Sequence, residues 1–140
     1  MVFVGGEGPT AGAEGCLFLG RRSPGELAEL YRACDLFVLP SVSEGFPMTV
    51  QEAMASGLPV VTTDDRGYDV YGLDRTKVSL VGDSDEDLAA ELTRLAAEPG
   101  RREEMGGYSA AYAAASFTWA HHTERLLASY AGAIAERGPR

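Results

Sequence analysis

Two carboxylates stand eight positions apart in one short stretch of the chain. Glu44 follows an apolar run that predicts a strand over residues 36–39, and Glu52 lies in helix-favouring sequence that ends at Gly57. Open α/β sheets bind ligands at the carboxyl ends of their strands, and carboxylates accept hydrogen bonds from vicinal hydroxyls. The helix start between the two acids offers N–H groups and partial positive charge to phosphate. The spacing therefore indicates a site for a molecule that combines sugar, ribose and phosphate, as a nucleotide-sugar does.

The same residues also admit a purely structural interpretation. Thr49 and Glu52 match the T-x-x-E pattern of a capping box, in which the glutamate reaches back to the threonine N–H. Glu44 can equally be an acid on a solvated loop. Taken alone, this stretch leaves both interpretations open.

Alternating strands and helices surround the two acids. The helix start is clearest at Ser23-Pro24-Gly25-Glu26, with an N-cap serine, proline at N1 and an acid at N3, and we expect this helix to bury Leu27, Leu30 and Tyr31. Strands separated by helices predict parallel pairing in a layered α/β domain. The predicted strands cover residues 2–4, 16–19, 36–39, 59–62 and 77–81, and the predicted helices cover 23–34, 49–56, 84–98, 101–115 and 119–136.

Composition limits the class of protein. The 140 residues predict a single domain, and a net charge of −9 argues against nucleic acid or an anionic membrane as partner. We find no membrane span and no signal peptide. Cys16 and Cys34 fall in a predicted strand and helix without disulfide spacing, which favours buried, reduced thiols and a cytoplasmic protein.

The run from Leu36 to Thr63, L-F-V-L-P-S-V-S-E-G-F-P-M-T-V-Q-E-A-M-A-S-G-L-P-V-V-T-T, resembles the donor-binding core of the retaining glycosyltransferases with the GT-B fold, family 4 or glycosyl transferases group 1. The signature of that family is E-x7-E within E-G-F-x-x-x-x-x-E-A-M-A-x-G-x-P-V-V. Residues 17–20, 26–35 and 117–130 are similar to its flanking elements, so the resemblance covers almost the whole chain. It implies a Rossmann-like parallel sheet with flanking helices, the C-terminal half of the GT-B fold.

The resemblance also implies a role for each residue of the site. Glu44 would lie beside the donor hexose as the catalytic residue, and Glu52 would hold the ribose diol. The implied chemistry is transfer with retention of configuration, with a nucleotide-sugar as substrate and with neither metal nor other cofactor. Contacts to the sugar are implied for the loop Gly45, Phe46, Pro47 and Met48, contacts to the diphosphate for the amides of Thr49 and Val50, and contacts to the base for Gly20, Arg21 and Arg22.

The chain departs from the family pattern in two ways. Pro47 stands where glycine is common, so one backbone N–H is absent. Relatives also begin this domain with a strand that carries diphosphate-binding Arg and Lys residues, and our chain matches only from the following β-α unit. We therefore expect residues 1–140 to be a single partial donor-binding domain that lacks its first β-α unit. An absent central strand would leave two strand edges unpaired, which another chain could fill, as in a swapped dimer. The expected protein partner is a missing N-terminal acceptor domain or a partner chain.

Other candidate residues favour structural interpretations. Asp83-Ser84-Asp85 matches the D-x-D of metal-dependent transferases but stands at a predicted helix start, and His121 and His122 are adjacent and would point apart on a helix. Residues 64–68 fit either a turn or a substrate contact. The aromatic residues predicted to pack the last helices are Tyr108, Tyr112, Phe117 and Trp119.

Two classes of function remain open at this point. The first is the donor half of a retaining glycosyltransferase, and the second is a non-catalytic module derived from one, which binds nucleotide or a partner protein. A nucleotide-sugar epimerase of similar fold resembles the signature less closely.

Overall fold

The structure, a computed structural model, describes residues 1–6, 14–42 and 45–137. It contains parallel strands and helices in alternation, as the sequence predicted, and adds one 3₁₀ helix, Arg66–Tyr71. The strands are β1 (Val2–Phe3), β2 (Leu17–Phe18), β3 (Phe37–Leu39), β4 (Val60–Thr63) and β5 (Ser79–Val81). The helices are α1 (Pro24–Ala33), α2 (Met48–Ala55), α3 (Asp85–Ala97), α4 (Pro99–Ser116) and α5 (Trp119–Arg137).

The strands form two parallel sheets. β1 pairs with β2, and β3, β4 and β5 pair in that order, with Val61 of β4 opposite Val38 and Ser79. Within the described residues no ladder joins the two sheets.

The chain divides into two compact units, Met1–Cys34 and Asp35–Arg140. In the first unit, the rings of Phe3 and Phe18 stack across the two strands with centroids 4.7 Å apart. Leu27, Leu30 and Tyr31 of α1 are only half-buried, so the expectation that this helix buries them was wrong in degree. The expectation of buried thiols fails in the same way, because Cys16 and Cys34 are free, half-buried and just outside β2 and α1.

The core lies in the second unit, around β4. Val61 is fully buried and packs with Leu95 of α3 and Met105 of α4. Helix α4 also lies against α2 at very short range, since a Cβ on Gly106 would stand 2.4 Å from the carbonyl oxygen of Gly57. This core fixes the start of α2, where the candidate site lies.

Capping residues explain the helix starts that the sequence predicted. Ser23 and Glu26 form a complete capping box at α1, and the Ser84 hydroxyl accepts a hydrogen bond from the Asp87 N–H at α3. Helix α4 begins at Pro99, two residues before its predicted start, because a proline suits the first turn of a helix as well as it ends the preceding one.

Candidate functional site

The loop after β3 leads directly into α2. Gly45 has φ +67°, a left-handed conformation that favours glycine, and Pro47 takes the N-cap position with φ −59° and ψ 142°. Thr49 and Glu52 therefore both lie inside the helix, and none of the described side chains caps its start. The capping-box interpretation of these two residues was wrong, because Pro47 already supplies the extended conformation from which the helix begins.

The first turn of α2 presents backbone donors. The N–H groups of Val50 and Gln51 donate to the Pro47 carbonyl oxygen at 3.1 and 3.3 Å. In the described part of the chain no protein acceptor meets the N–H groups of Met48 and Thr49, as the first turn of a helix leaves such groups unsatisfied. With the helix dipole, these two groups make the terminus suited to a negatively charged ligand.

Opposite faces of α2 have different surroundings. Val50, Ala53 and Met54 are fully buried against the core, whereas Glu52 is exposed. The Gln51 side chain turns back to the loop and donates from Nε2 to the Phe46 carbonyl oxygen at 3.2 Å. The helix is thus held by one face, and the predicted ribose-binding carboxylate stands on the face open to solvent.

Glu44, the predicted catalytic residue, and its neighbour Ser43 lie outside the described residues. The role of Glu44 stays a prediction. The structure brings together the rest of the predicted sugar and diphosphate contacts, residues 45–50 and Glu52, in one continuous loop and helix start.

The predicted base contacts lie in the first unit, after β2. Gly20 has φ +62°, and its carbonyl oxygen accepts a hydrogen bond from the Gly5 N–H at 2.9 Å. Arg21 is exposed, and a guanidinium nitrogen of Arg22 lies 3.9 Å from a carboxylate oxygen of Glu26. Arg22 also lines an open groove, whose other lining residues are Leu19, Glu26, Glu29, Leu30 and Ala33.

The segment after β4 is an ordered part of the same edge. Asp65 caps the 3₁₀ helix, and its carboxylate accepts a hydrogen bond from the Gly67 N–H at 2.7 Å. Arg75 bridges Asp64 and Asp69, with guanidinium nitrogens 3.0 Å from each carboxylate, and these bonds raise the pKa of Arg75. The sequence left this segment open between turn and substrate contact; the D-x-G spacing is the signal that predicts its first turn.

The sequence did not predict the aromatic contacts that Phe46 makes in the loop before α2. The ring of Phe46 stacks on Tyr71 with centroids 4.2 Å apart and meets Tyr68 edge-on at 5.5 Å and Phe117 at 5.3 Å. Tyr112 contacts Phe117 and Tyr108 in turn, which confirms these residues as packing groups. Burial raises the pKa of the Tyr112 phenol. Trp119 is 84% exposed, so its predicted packing role was wrong.

The remaining candidates take structural roles. Asp83 is exposed and Asp85 lies in the first turn of α3, where acids complement the helix dipole. His121 is half-buried and His122 is exposed, with its ring 5.9 Å from that of Trp119. Among the described residues no three His, Cys, Asp or Glu side chains are grouped to hold a metal ion. No helix in the described ranges has the apolar length that a membrane crossing requires.

Parallel sheets flanked by helices, with a ligand-accessible helix start after a strand, define the chain as a Rossmann-like α/β protein. The family "Glycosyl transferases group 1" matches residues 11–111, most of the chain. The chain therefore belongs to the glycosyl transferases group 1, as its signature indicated.

Relatives and solved structures agree with this family. The D-inositol 3-phosphate glycosyltransferase of Nocardia farcinica is 39% identical over 125 residues, which are 89% of this chain and 28% of that protein. The enzyme of the same name from Mycobacterium tuberculosis is 40% identical over 123 residues, 85% of this chain and 25% of that protein. The chain thus spans about a quarter of the length of these relatives.

The solved structures support the fold. Sucrose-phosphate synthase from Thermosynechococcus elongatus superposes with a TM-score of 0.79 at 24% identity, covering 96% of this chain and 38% of that one. The Anabaena protein HepE in complex with UDP-glucose superposes with a TM-score of 0.71 at 20% identity, covering 85% and 33%. These likenesses assign the fold to the GT-B glycosyltransferases.

Proposed function

We propose that this chain is the donor-binding part of a retaining, metal-independent glycosyltransferase and that it binds a nucleoside-diphosphate sugar. The observation that carries the proposal is the uncapped start of α2. The N–H groups of Met48 and Thr49 have no acceptor in the described part of the chain, and the family signature surrounds them. A helix start of this kind binds phosphate without the help of a side chain.

Different residues contact the diphosphate, the ribose, the hexose and the base of the donor. The N–H groups of Met48 and Thr49 receive the diphosphate, and Glu52, exposed one turn further along α2, accepts hydrogen bonds from the ribose hydroxyls. Val50 contributes less than expected, because its N–H already donates to Pro47. Gly45 and Phe46 present the loop to the hexose, Glu44 orients the hexose and supports positive charge at its anomeric carbon, and Gly20, Arg21 and Arg22 face the base.

The proposed chemistry is electrostatic. Negative charge develops on the diphosphate as its bond to the anomeric carbon breaks, and fixed N–H donors that point at this charge lower the barrier. The positive end of the α2 dipole serves the purpose that a metal ion serves in other transferases. The net charge of −9 makes these local donors necessary, since the field of the whole chain opposes an anion.

The proposal concerns the donor and not the acceptor. The relatives are named for D-inositol 3-phosphate, which is one candidate acceptor, but the chain spans about a quarter of their length. We propose that acceptor contacts come from an N-terminal acceptor domain or a partner chain. The second candidate is a non-catalytic module that binds nucleotide or a partner protein.

Calorimetric titration with UDP, GDP and their sugar conjugates tests donor binding, once cooperative unfolding of the chain has been verified. We expect saturable binding of one nucleotide class that is unchanged by EDTA. Glu52→Ala should weaken it roughly tenfold or more, because hydrogen bonds to a charged group are lost. Glu103, an exposed glutamate of α4, provides the control Glu103→Ala, which should bind as the wild type does.

The outcomes separate the two candidates. Binding that Glu52→Ala weakens and Glu103→Ala preserves supports the donor site and identifies the base. A cooperatively folded chain that binds none of the nucleotides contradicts the donor site and leaves a protein-interaction module as the better candidate. Binding that requires a divalent metal contradicts the metal-independent part of the proposal.

A further inference from the structure

The segment after β4 lies directly against the loop that leads into α2. A Cβ placed on Gly67 would stand 2.7 Å from the Gly45 Cα and 2.9 Å from the Gly45 carbonyl oxygen, closer than side-chain carbons come to backbone. Gly67 is not in a left-handed conformation, so the reason for glycine here is the proximity of the loop. Any side chain at position 67 must displace Gly45.

The next residue of the loop is held by aromatic contacts with the same segment. Phe46 stacks on Tyr71 and meets Tyr68 edge-on. The hydroxyl of Thr62 donates to the Leu39 carbonyl oxygen at 3.0 Å, so the Tyr68 hydroxyl, 3.0 Å away, is the donor to Thr62. The ring that supports Phe46 is therefore tied to the carboxyl ends of both β3 and β4.

The 3₁₀ helix has its own anchors, so it can act as a fixed support. Asp65 caps its start, Arg75 ties Asp64 and Asp69 together, and the Tyr112 hydroxyl donates to the Tyr71 carbonyl oxygen. These bonds connect the support to β4 and to α4, independently of the loop. A displacement of the loop is then opposed by residues that do not themselves move with it.

We propose that Gly67 and Tyr71 are positioning residues for the donor: they hold the loop Gly45–Pro47 in the position from which Gly45 and Phe46 meet the hexose. This inference rests on the proposed function and identifies the residues that give its site a fixed geometry. Gly67 acts by leaving room for the Gly45 backbone, and Tyr71 acts by stacking on Phe46. Neither residue contacts the donor.

Hydrogen exchange in the ligand-free full-length chain tests the positioning directly. Gly67→Ala and Tyr71→Ala should speed exchange of the amides of Val50 and Gln51, which donate to the Pro47 carbonyl oxygen of the loop, by at least about tenfold, with the amides of β4 unchanged. Tyr71→Phe keeps the stacked ring and should exchange as the wild type does. Gly107→Ala is the glycine control, because a Cβ at that position meets nothing within 4 Å.

Titration of the same variants distinguishes positioning from general stability. UDP-glucose and GDP-mannose are each compared with the free nucleoside diphosphate, so that the ratio of the two dissociation constants reports on the loop. Gly67→Ala and Tyr71→Ala should lower the preference for the sugar conjugate about tenfold or more, since small displacements of binding groups are costly. Tyr71→Phe should restore it.

The exchange and titration results together support or overturn the positioning role. Unchanged exchange at Val50 and Gln51 overturns the positioning role, as does equal acceleration in β4, which would indicate plain destabilisation. If the wild type binds nucleotide, variants with faster exchange but an unchanged ratio of the two dissociation constants also overturn it. If the wild type binds no nucleotide, the proposed function fails, and the exchange data alone decide whether the support exists.

Discussion

The two compact units both contain parallel strands and helices, but they differ in the number of side chains that they bury. Every buried side chain of the described residues lies in the second unit, and none lies in Met1–Cys34, where even the α1 stripe is half-buried. Burial of apolar surface is the main stabilising contribution to folding, and units of this size seldom fold on it alone. The first unit therefore depends on local bonds such as the Ser23–Glu26 capping box.

The residues proposed to contact the donor fall in units that differ in burial. The residues proposed for diphosphate, sugar and ribose stand on α2, whose inner face is fully buried. The residues proposed for the base, Gly20–Arg22, stand in the unit without a buried core. Regions with few buried apolar contacts open locally at low free-energy cost. We therefore expect the residues proposed for diphosphate, sugar and ribose to open locally less often than residues 20–22.

The largest effect should come from emptying the core of the second unit. Met54 is fully buried, so Met54→Ala should lower the free energy of unfolding by about 2–5 kcal/mol. Leu30 of α1 is half-buried, and Leu30→Ala should cost about 1 kcal/mol. Urea unfolding followed by circular dichroism measures both. Equal losses in the two variants would remove the distinction between the units.

A smaller effect should arise where α2 and α4 meet. Gly106→Ala would place a carbon 2.4 Å from the Gly57 carbonyl oxygen and should cost about 1–3 kcal/mol. The adjacent Gly107→Ala meets open space within α4 and should instead stabilise by about 0.5–1 kcal/mol. Thermal unfolding of the two variants measures both the expected loss and the expected gain in stability. A neutral Gly106→Ala would mean that the close approach does not constrain the second unit.

The smallest effect concerns the contribution of one carboxylate of the second unit, Glu91, to stability. Hydrogen bonds from Arg94, at 2.7 and 2.9 Å, hold the pKa of the Glu91 carboxyl below its ordinary value of 4.5. Because the folded pKa is lowered, this contribution is present above the unfolded pKa and is lost as the pH falls through the folded one. Glu91→Gln should lose less than about 1 kcal/mol at neutral pH, since the pair is partly exposed.

Unfolding as a function of pH checks this prediction. The difference between wild type and Glu91→Gln should shrink below pH 4.5, with Glu103→Gln as the matched exposed control. A difference that stays constant down to acid pH would show that Glu91 acts by packing and not by charge.

Local patterns in the sequence predicted the elements well. Ser23 and Ser84 predicted helix starts because capping depends on residues within one turn. Apolar runs predicted all the described strands to within a few residues. Pro47 misled the prediction for α2 by one residue, since a proline can hold an N-cap position that the T-x-x-E pattern also claimed. The exposure of Trp119 was missed because helical spacing does not say which face is covered.

The supports of the candidate site could not be predicted in the same way. Phe46 meets Tyr71 and Phe117, and Gly67 meets Gly45, only because the fold brings separate segments together. No periodicity in the sequence records such contacts. The family signature predicted which residues face the donor, and the structure adds which residues contact them.

The contact between Phe46 and Phe117 has a consequence for the order of events during synthesis. A ribosome that adds about 5–20 residues per second makes Phe117 some 4–14 seconds after Phe46, because about 71 residues separate them. The loop into α2 is therefore complete in sequence well before its last aromatic neighbour exists. A nascent chain that ends before α4 would carry the whole signature, with Tyr68 and Tyr71, and still lack the contact between Phe46 and Phe117.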